Sequence, residues 1–161
     1  MSHPMRRPLQ ALSQQECEAI LEKNTSGVLA LITPEGEPYP VPMSYVWADG
    51  VLYFHGAQQG CRMDAIRHCE RAGFCVIDQD LVAPEEYSTH YRSVIVTGSI
   101  CVLTDPEKKE EGLLRLAEKY RPYATSDEHL QTISRSLSET AVLMLTVEEM
   151  TGKQAAAMCK K

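Results

Sequence analysis

The 161-residue chain lacks a long hydrophobic run, an excess of basic residues and any close cluster of metal ligands. No apolar segment approaches the roughly 18 residues that a membrane-spanning helix needs. Arg6 and Arg7 near the N-terminus are not followed by the apolar core of a signal peptide. The net charge of −6 argues against a broad nucleic-acid surface but leaves room for a local anion pocket. These absences predict a cytoplasmic protein that binds neither membrane nor nucleic acid.

The six cysteines follow neither a disulfide pattern nor a zinc pattern. The sequence contains no C-x-x-C, and its histidines and cysteines do not group at the spacing of a zinc site. Without a secretion signal, the thiols are expected to be reduced, and most of them to be small buried apolar groups. The sequence therefore predicts no metal centre.

The order of elements predicts a mainly β protein with short peripheral helices. A capping box at Ser13–Glu16 opens the first helix, whose apolar face is Cys17, Ile20 and Leu21. Asp105 precedes Pro106 as an N-cap for the third helix. The six predicted strands are 28–32, 39–47, 51–55, 73–78, 92–104 and 141–147. The predicted helices are 14–24, 62–69, 106–121 and 126–137.

Turn signals at residues 34–37 and at Asp49-Gly50 join the first three strands as hairpins, which predicts a largely antiparallel sheet. Pro40 and Pro42 cannot donate hydrogen bonds to a neighbouring strand, so the first half of the second strand is expected to be irregular or at a sheet edge. Six strands with only short helices between them favour a closed barrel over a doubly wound sheet.

Two segments are predicted to lie outside the regular structure. The polar stretch 79–90, which contains Pro84, is expected to be an exposed loop, and residues 151–161 a loose tail. Gly98, in the middle of the fifth strand, indicates a bulge or the close approach of another group.

The clearest functional signal lies where the third strand ends. There, Gly56, Ala57 and Gly60 form a tight loop ahead of a helix start that carries Arg62. Close backbone N–H groups, the partial positive charge of a helix N-terminus and an arginine fork together suit a phosphate. An ordinary strand–helix connection explains the same glycines equally well, because short glycine motifs are weak signals.

Short motifs occur in a fixed order along nearly the whole chain. They are MRR at 5–7, GVLA at 27–30, PYPVPMSYV at 38–46, LYFHGA at 52–57 with a glycine at 60, YRSVIVTG at 91–98 and TGK at 151–153. In this order the chain resembles the flavin-binding split barrels of the pyridoxamine 5′-phosphate oxidase-like superfamily, and above all the nitroimidazole-resistance proteins.

The resemblance implies a homodimer of six-stranded antiparallel split barrels with FMN at the subunit interface. It implies one FMN-binding domain over residues 1–153 and a C-terminal tail at 154–161. The family commonly has Gly-Arg-Lys where this chain has Gly60-Cys61-Arg62, so one positive charge is lost. The implied cofactor-binding residues are Val41, Pro42, Met43, Ser44 and Tyr45 along the isoalloxazine ring, His55, Gly56 and Ala57 near the ribityl chain and phosphate, Gly60 and Arg62 in the phosphate loop, and Arg92 and Ser93 on the fifth strand, from this subunit or its partner.

The implied function is an FMN-dependent oxidoreductase that passes electrons from NAD(P)H through FMN to a small electrophile, such as a nitro-aromatic compound or a quinone. His55 is the candidate catalytic residue as a proton donor, and a hydrogen bond to phosphate or backbone is its alternative role. Three other interpretations stay open: a flavin-binding protein without turnover, a split barrel that binds haem (through Cys61 or His55) or deazaflavin, and a dimeric interaction module with an empty site.

Overall fold

The computed structural model describes residues 5–159. Its fold is built on one antiparallel sheet. Residues 1–4 and 160–161, at the ends of the predicted domain and tail, lie outside the described part. The strands are β1 (Ala11–Leu12), β2 (Ser26–Ile32), β3 (Pro38–Ser44), β4 (Val46–Ala48), β5 (Val51–Gly56), β6 (Arg71–Ala83), β7 (Ser88–Val102) and β8 (Ala141–Gln154). The α-helices within residues 5–159 are α1 (Gln14–Lys23), α2 (Cys61–His68), α3 (Pro106–Tyr120) and α4 (Ser126–Ser136). The predicted mainly β class is confirmed.

The strand order explains how the sheet curls. Neighbouring strands follow the order β3-β2-β6-β7-β8-β5-β4, and β1 adds to β8 outside this path. The two end strands, β3 and β4, are consecutive in the chain, because only Tyr45 separates them. The sheet therefore curls until its ends meet through the backbone at one residue. Its hydrogen-bonded path stays open there, so it is not the fully closed barrel that the element order favoured.

Within residues 5–159 the sheet has eight strands instead of the predicted six. The predicted second strand is broken at Tyr45 into β3 and β4, and residues 11–12 add β1 by pairing with Lys153 and Gly152 of β8. The predicted antiparallel pairing is confirmed for every pair. The predicted edge position of Pro40 and Pro42 is also confirmed, since β3 is an end strand.

The helices begin where local signals place them. In α1, the Ser13 hydroxyl accepts from the Glu16 N–H, and the Glu16 carboxylate accepts from the Ser13 N–H at 2.8 Å. In α3, Asp105 accepts from the N–H groups of the first turn, behind Pro106. Such caps satisfy backbone donors that the helix itself cannot pair. The predicted starts of α1 and α3 are therefore confirmed.

β6 and β7 continue beyond the rest of the sheet as a two-stranded hairpin, so the exposed loop predicted at 79–90 is wrong. Gln79 pairs with Arg92 and Val82 with Thr89, and the ribbon turns at Pro84–Glu86. A ribbon without further neighbours is solvated on both faces. Even its apolar residues Leu81 and Val82 are 58% and 65% exposed, so the alternation that marks a half-buried strand is missing.

The C-terminal segment is more ordered than predicted. β8 runs through residues 151–154, where Gly152 pairs with Val94 and Gln154 with Arg92 of β7. The Ala155 N–H then donates to the Tyr91 carbonyl at 2.9 Å. The loose tail predicted from residue 151 is wrong over these positions, because pairing with β7 gives this polar segment a partner that its own pattern does not reveal.

Two bulges interrupt the long strands. The first, predicted from Gly98, is confirmed by a register shift between Thr97 and Gly98 where β7 pairs with β8. A Cβ atom on Gly98 would overlap the Thr146 carbonyl oxygen, so no side chain fits there. The second lies between Ile77 and Gln79 of β6 and leaves Asp78 unpaired in the ladder. No glycine at residues 77–79 indicates this second bulge in the sequence.

The core lies inside the curled sheet, with a second layer outside one half of it. The inner core includes Leu29, Phe54 and Phe74, and it packs against α1 and α2. Outside, α3 and α4 cover β4, β5 and β8 through a smaller cluster that includes Leu116 and Val142. The outer surface of β2, β6 and β7, here called the open face, has no helix over it within residues 5–159. Its apolar side chains Val28, Ile77 and Ile95 are 37%, 62% and 50% exposed.

Two further expectations can be compared with residues 5–159. All six cysteines are free thiols, but only Cys17 is buried, so the prediction that most of them are buried apolar groups is wrong. No helix in this part of the chain is both long and apolar enough to cross a membrane.

The strand break at Tyr45 is held from outside the sheet by the end of α3. The Tyr45 N–H donates to the Tyr120 hydroxyl at 3.0 Å, and that hydroxyl lies within hydrogen-bond distance of the carbonyl oxygens of Tyr45 and Thr25. The Lys119 ammonium lies 4.4 Å from the centre of the Tyr45 ring and donates to the Asn24 carbonyl at 2.6 Å. The Tyr45 N–H also lies 3.4 Å from the Thr25 carbonyl oxygen, so the backbone groups that leave the ladder at Tyr45 are paired by the Tyr120 side chain and by Thr25.

We expect Tyr120→Phe to lower the free energy of unfolding by about 1–2 kcal/mol, because it removes the partner of backbone groups beside the core. Urea denaturation monitored by circular dichroism measures this change. Tyr123→Phe is the matched control, since Tyr123 is 99% exposed and should leave stability unchanged. Equal stabilities of the two variants would contradict the role given to Tyr120.

Candidate functional site

The loop after β5 has the geometry of a phosphate loop. Gly60 has φ +109° and ψ 172°, a conformation essentially restricted to glycine. Its carbonyl oxygen accepts from the N–H groups of Met63 and Asp64, at 2.8 and 3.2 Å. The amides ahead of them, at Cys61 and Arg62, are the groups that a helix start offers to an anion.

The Arg62 guanidinium lies directly against the bare α-carbon of Gly56. A Cβ atom on Gly56 would overlap Nη2 of Arg62 and lie 2.9 Å from its Cζ, so only glycine allows this packing. Nη1 lies 3.2 Å from the Met43 sulfur, and Nη2 lies 3.5 Å from the Ala57 carbonyl oxygen. Arg62 thereby brings together three predicted site residues from β3, β5 and the loop. We call Met43, Gly56, Ala57, Gly60 and Arg62 the Arg62 cluster.

Strand alternation divides the five predicted residues 41–45 between two faces. The side chains of Met43 and Tyr45 are buried in the core, and that of Val41 packs against it. Pro42 and Ser44 are exposed on the outer surface. Burial raises the pKa of Tyr45 well above its usual value, and its neutral phenol donates to the Leu21 carbonyl at 2.8 Å. Only Pro42 and Ser44 offer side chains to a ligand outside the sheet, and the other three residues offer backbone alone.

His55 does not join the Arg62 cluster. Its side chain is exposed, and it pairs across the sheet with Val142. Because neighbouring residues of a strand point to opposite faces, His55 points away from the side on which Arg62 covers Gly56. The structure therefore separates two residues that the sequence motif places next to each other.

Arg92 and Ser93 are divided in the same way. Ser93 pairs with Ile77 and Lys153 on the open face. Arg92 points to the other side, where its Nη1 lies 3.8 Å from Oδ2 of Asp78. Of the two predicted residues on β7, one therefore belongs to the open face, and the other belongs to a separate group of charged residues.

That group centres on Asp78, a residue that the sequence analysis missed. Its side chain is only 3% exposed, and its Oδ1 accepts from Lys23 Nζ and Asn24 Nδ2, each at 2.8 Å. Burial raises the pKa of Asp78, but the hydrogen bonds from Lys23 and Asn24 and the charges of Lys23 and Arg92 outweigh it, so the pKa is lowered overall. We call Lys23, Asn24, Asp78 and Arg92 the Arg92 cluster.

Both clusters contain an arginine with an unused donor. Nε of Arg62 and Nε of Arg92 are buried, and neither has a hydrogen-bond partner within residues 5–159. A buried donor without an acceptor costs about 1–3 kcal/mol, and more when the group is charged. Such donors are the feature expected of arginines that bind an anionic ligand.

A trough of about 600 Å³ lies elsewhere, on the open face. Small residues form its floor, since Ala30, Gly73 and Thr97 are cross-strand neighbours on β2, β6 and β7. At its rim, Arg71 Nη1 donates to both Glu148 carboxylate oxygens, at 2.7 and 2.8 Å. Neither the Arg62 cluster nor the Arg92 cluster lines this trough.

Comparison with known proteins identifies relatives of this fold. Residues 13–154 match the family model described as pyridoxamine 5′-phosphate oxidase. Among curated proteins, none is similar enough in sequence to be matched. A Bacteroides thetaiotaomicron protein assigned to 5-nitroimidazole antibiotic resistance superposes with a TM-score of 0.72 at 21% identity, over 89% of this chain and 86% of that one.

Two other solved structures are similar. The conserved hypothetical protein Rv2991 from Mycobacterium tuberculosis has a TM-score of 0.80 at 19% identity, over 93% of this chain and 89% of that one. The flavocytochrome Anf3 from Azotobacter vinelandii has a TM-score of 0.76 at 20% identity, over 96% of this chain and 73% of that one. At identities this low, the structures establish a shared fold and not a shared activity.

The family match confirms the resemblance noted in the sequence motifs. It spans β2 to β8 and includes the Arg62 cluster and the Arg92 cluster. The chain therefore belongs to the pyridoxamine 5′-phosphate oxidase family.

Proposed function

We propose that the protein is an FMN-binding oxidoreductase, which passes electrons from NAD(P)H through FMN to a small electrophile such as a nitro-aromatic compound. The observation that carries the proposal is the Arg62 guanidinium, which lies on the bare α-carbon of Gly56 with its buried Nε unpartnered. A phosphate at this place would accept charge-assisted hydrogen bonds, which are about twice as strong as neutral ones.

The residues present fit a cofactor that ends in a phosphate. The amides of Cys61 and Arg62 begin α2, so the helix dipole adds to the charge of Arg62. Cys61, which stands where the family commonly has arginine, brings no charge to the loop. The bidentate fork of Arg62 compensates in part, because it holds two phosphate oxygens at once. When bound, the flavin supplies the electron chemistry, and the chain binds and orients it.

We propose further that the flavin lies between two copies of the chain. Pro42, Ser44 and Ser93 all point outward from the sheet, next to the apolar side chains of the open face. Apolar residues that are half exposed on adjacent strands mark a surface for association. A homodimer formed through the open face would cover these residues and bring a ligand at Pro42 and Ser44 between the subunits.

A flavin-binding protein without turnover is the second candidate. It is favoured by the position of His55, which points away from the Arg62 cluster. In that case the chain holds flavin but offers it no histidine as a proton donor. Because one structural relative is a flavocytochrome, haem is a further candidate ligand.

The first test is the visible absorption spectrum of the freshly purified protein, repeated after FMN is added and removed by desalting. We expect the two-band spectrum of oxidised flavin and its bleaching by NADH or NADPH. Retained flavin that neither nucleotide bleaches would favour the protein without turnover. A sharp Soret band would place haem first, and no retained chromophore after reconstitution would overturn the flavin proposal.

We expect Arg62→Gln to weaken FMN binding by about tenfold or more, since it removes charge-assisted hydrogen bonds to the phosphate. Riboflavin, which lacks the phosphate, should bind the variant and the unchanged protein equally. Quenching of flavin fluorescence measures both affinities. Arg135→Gln is the control for loss of an arginine charge, because Arg135 is exposed on α4, away from this loop. Unchanged FMN affinity in Arg62→Gln would show that the phosphate lies elsewhere.

A further inference from the structure

The pairing of β6 with β7 continues before the first residue of β6 and brings two cysteines opposite each other. One step outside the ladder, the Ile100 N–H donates to the Glu70 carbonyl at 2.7 Å. The next two residues in this register are Cys69 and Cys101. Cys69 has φ −138° and ψ 118°, which is the extended backbone of a strand. The residue that caps the end of α2 therefore lies opposite a cysteine of β7.

This cross-strand position is one at which two thiols can be bridged. Because Glu70 and Ile100 are a hydrogen-bonded pair, Cys69 and Cys101 are a non-hydrogen-bonded pair, in which the Cα atoms lie about 4.5 Å apart. Disulfides need Cα atoms about 4.4–6.8 Å apart. Ile100 is buried in the core, so Cys101 points outward, and Cys69 points to the same face. Rotation of the two side chains is then enough to join the sulfurs.

Both thiols are free in this structure, and solvent reaches them. Cys101 is exposed and Cys69 is half-buried. Sγ of Cys69 lies 4.0 Å from the Arg71 carbonyl oxygen, a weak contact on its own strand that a rotation would release. A cavity of about 400 Å³ is lined by Cys101 and by both chain neighbours of Cys69, His68 and Glu70. A small oxidant therefore has access to the pair.

The other cysteines of residues 5–159 have no cysteine opposite them in the sheet. Cys75 lies on β6, where its cross-strand neighbours are Val28 and Ile95. Three more lie outside the strands: Cys17, Cys61 and Cys159. The sheet thus prepares one disulfide within this part of the chain, and it joins residues 69 and 101.

We propose that Cys69 and Cys101 form a reversible disulfide, which fastens the end of α2 to β7 when a low-molecular-weight disulfide such as oxidised glutathione is abundant. The thiolate of one cysteine attacks a sulfur of the small disulfide and releases the first glutathione. The second thiolate attacks the mixed disulfide and releases the other glutathione. Two protein thiols are oxidised to one disulfide, and one small disulfide is reduced to two thiols that take up both protons.

The bond acts on the helix that begins at the phosphate loop. α2 follows Gly60, carries Arg62 and ends at Cys69, whose N–H donates to the Ala65 carbonyl at 2.9 Å. A covalent link at Cys69 adds to this hydrogen bond and ties the helix end to the sheet. The inference stands on the sheet register and the two thiols, and it holds whether or not the chain binds flavin.

The chemistry of Cys101 decides how the disulfide should be measured. Burial raises the pKa of the Cys101 thiol, and the charge of Lys108 counteracts only part of this effect. Because the thiolate is the reacting form, we expect slow reaction at neutral pH. The test is therefore an equilibrium in glutathione buffers and not a rate.

Peptide mapping tests the proposal on the whole protein. The protein is equilibrated with glutathione buffers from fully reduced to fully oxidised, free thiols are blocked with N-ethylmaleimide, and trypsin is added. Trypsin separates the two cysteines into peptides 68–71 and 93–108, and neither contains another cysteine. We expect these peptides to be joined in the oxidised buffers and separate after reduction. Glutathione on each peptide separately, or a link between two copies of the chain, would overturn the proposal.

Serine variants identify the bond and provide the control. Cys101→Ser and Cys69→Ser should each abolish the joined peptide and leave glutathione on the remaining cysteine. Cys75→Ser is the matched control, because Cys75 is a half-buried cysteine of the same strand, and the joined peptide should form as before. Loss of the joined peptide in Cys75→Ser would overturn the assignment.

Thermal unfolding measures whether the bond fastens the fold. Closing the chain between residues 69 and 101 should raise the midpoint temperature by about 5–10 °C in the oxidised protein. The same shift is expected in Cys75→Ser and none in Cys101→Ser. A midpoint that stays the same once the joined peptide has formed would overturn the fastening role.

Discussion

The rest of the structure depends on how the chain leaves the sheet at Tyr45. A curled sheet with two free ends would expose rows of unpaired backbone groups, and here the two ends are joined by that one residue. Its backbone N–H and carbonyl then need partners outside the ladder; the Tyr120 hydroxyl pairs with both, and the N–H also donates to the Thr25 carbonyl. Its ring stays in the core, edge-on to Phe74 at 4.9 Å. Because Met43 lies two residues earlier and contacts Arg62, the break also sets the position of the Arg62 cluster.

The parts of the molecule that the sequence could predict are those with local causes. The capping box of α1, the hairpin at Asp49-Gly50 and the start of α3 depend on residues within a few positions, and the structure has them as expected. The hairpin at 79–90 and the strand at 151–154 depend on pairing with distant segments, and the sequence analysis missed both. A ribbon that is exposed on both faces has no buried face and therefore no alternation of apolar and polar residues, so nothing local distinguishes it from a loop.

In the candidate site, too, the features with local causes could be predicted and those that depend on distant pairing could not. Gly56 and Arg62 belong to one short motif, and their contact is direct. The motif does not tell on which face each residue of a strand lies, and strand alternation separates His55 from Arg62, and Ser93 from Arg92. Asp78 carried no signal at all, because its role depends on a bulge and on the end of α1. It could have been found only from the pairing register, in which one residue of β6 has no partner on β7.

Two kinds of unfavourable feature occur in this structure: buried hydrogen-bond donors without an acceptor, in the two arginine clusters, and exposed apolar side chains, on the open face. Each buried donor without an acceptor and each apolar side chain left in water makes the free energy of folding less favourable. Here the unpaired donors are the Nε groups of Arg62 and Arg92, and half-exposed Ile77 and Ile95 lie on the strands that carry Asp78 and Arg92. α3 and α4 cover the outer side of β4, β5 and β8, whereas Val28, Ile77 and Ile95 on the open face have no such cover within residues 5–159. An anionic ligand held beside a second copy of the chain would meet both kinds of cost at once, which is why we propose the ligand and the partner together.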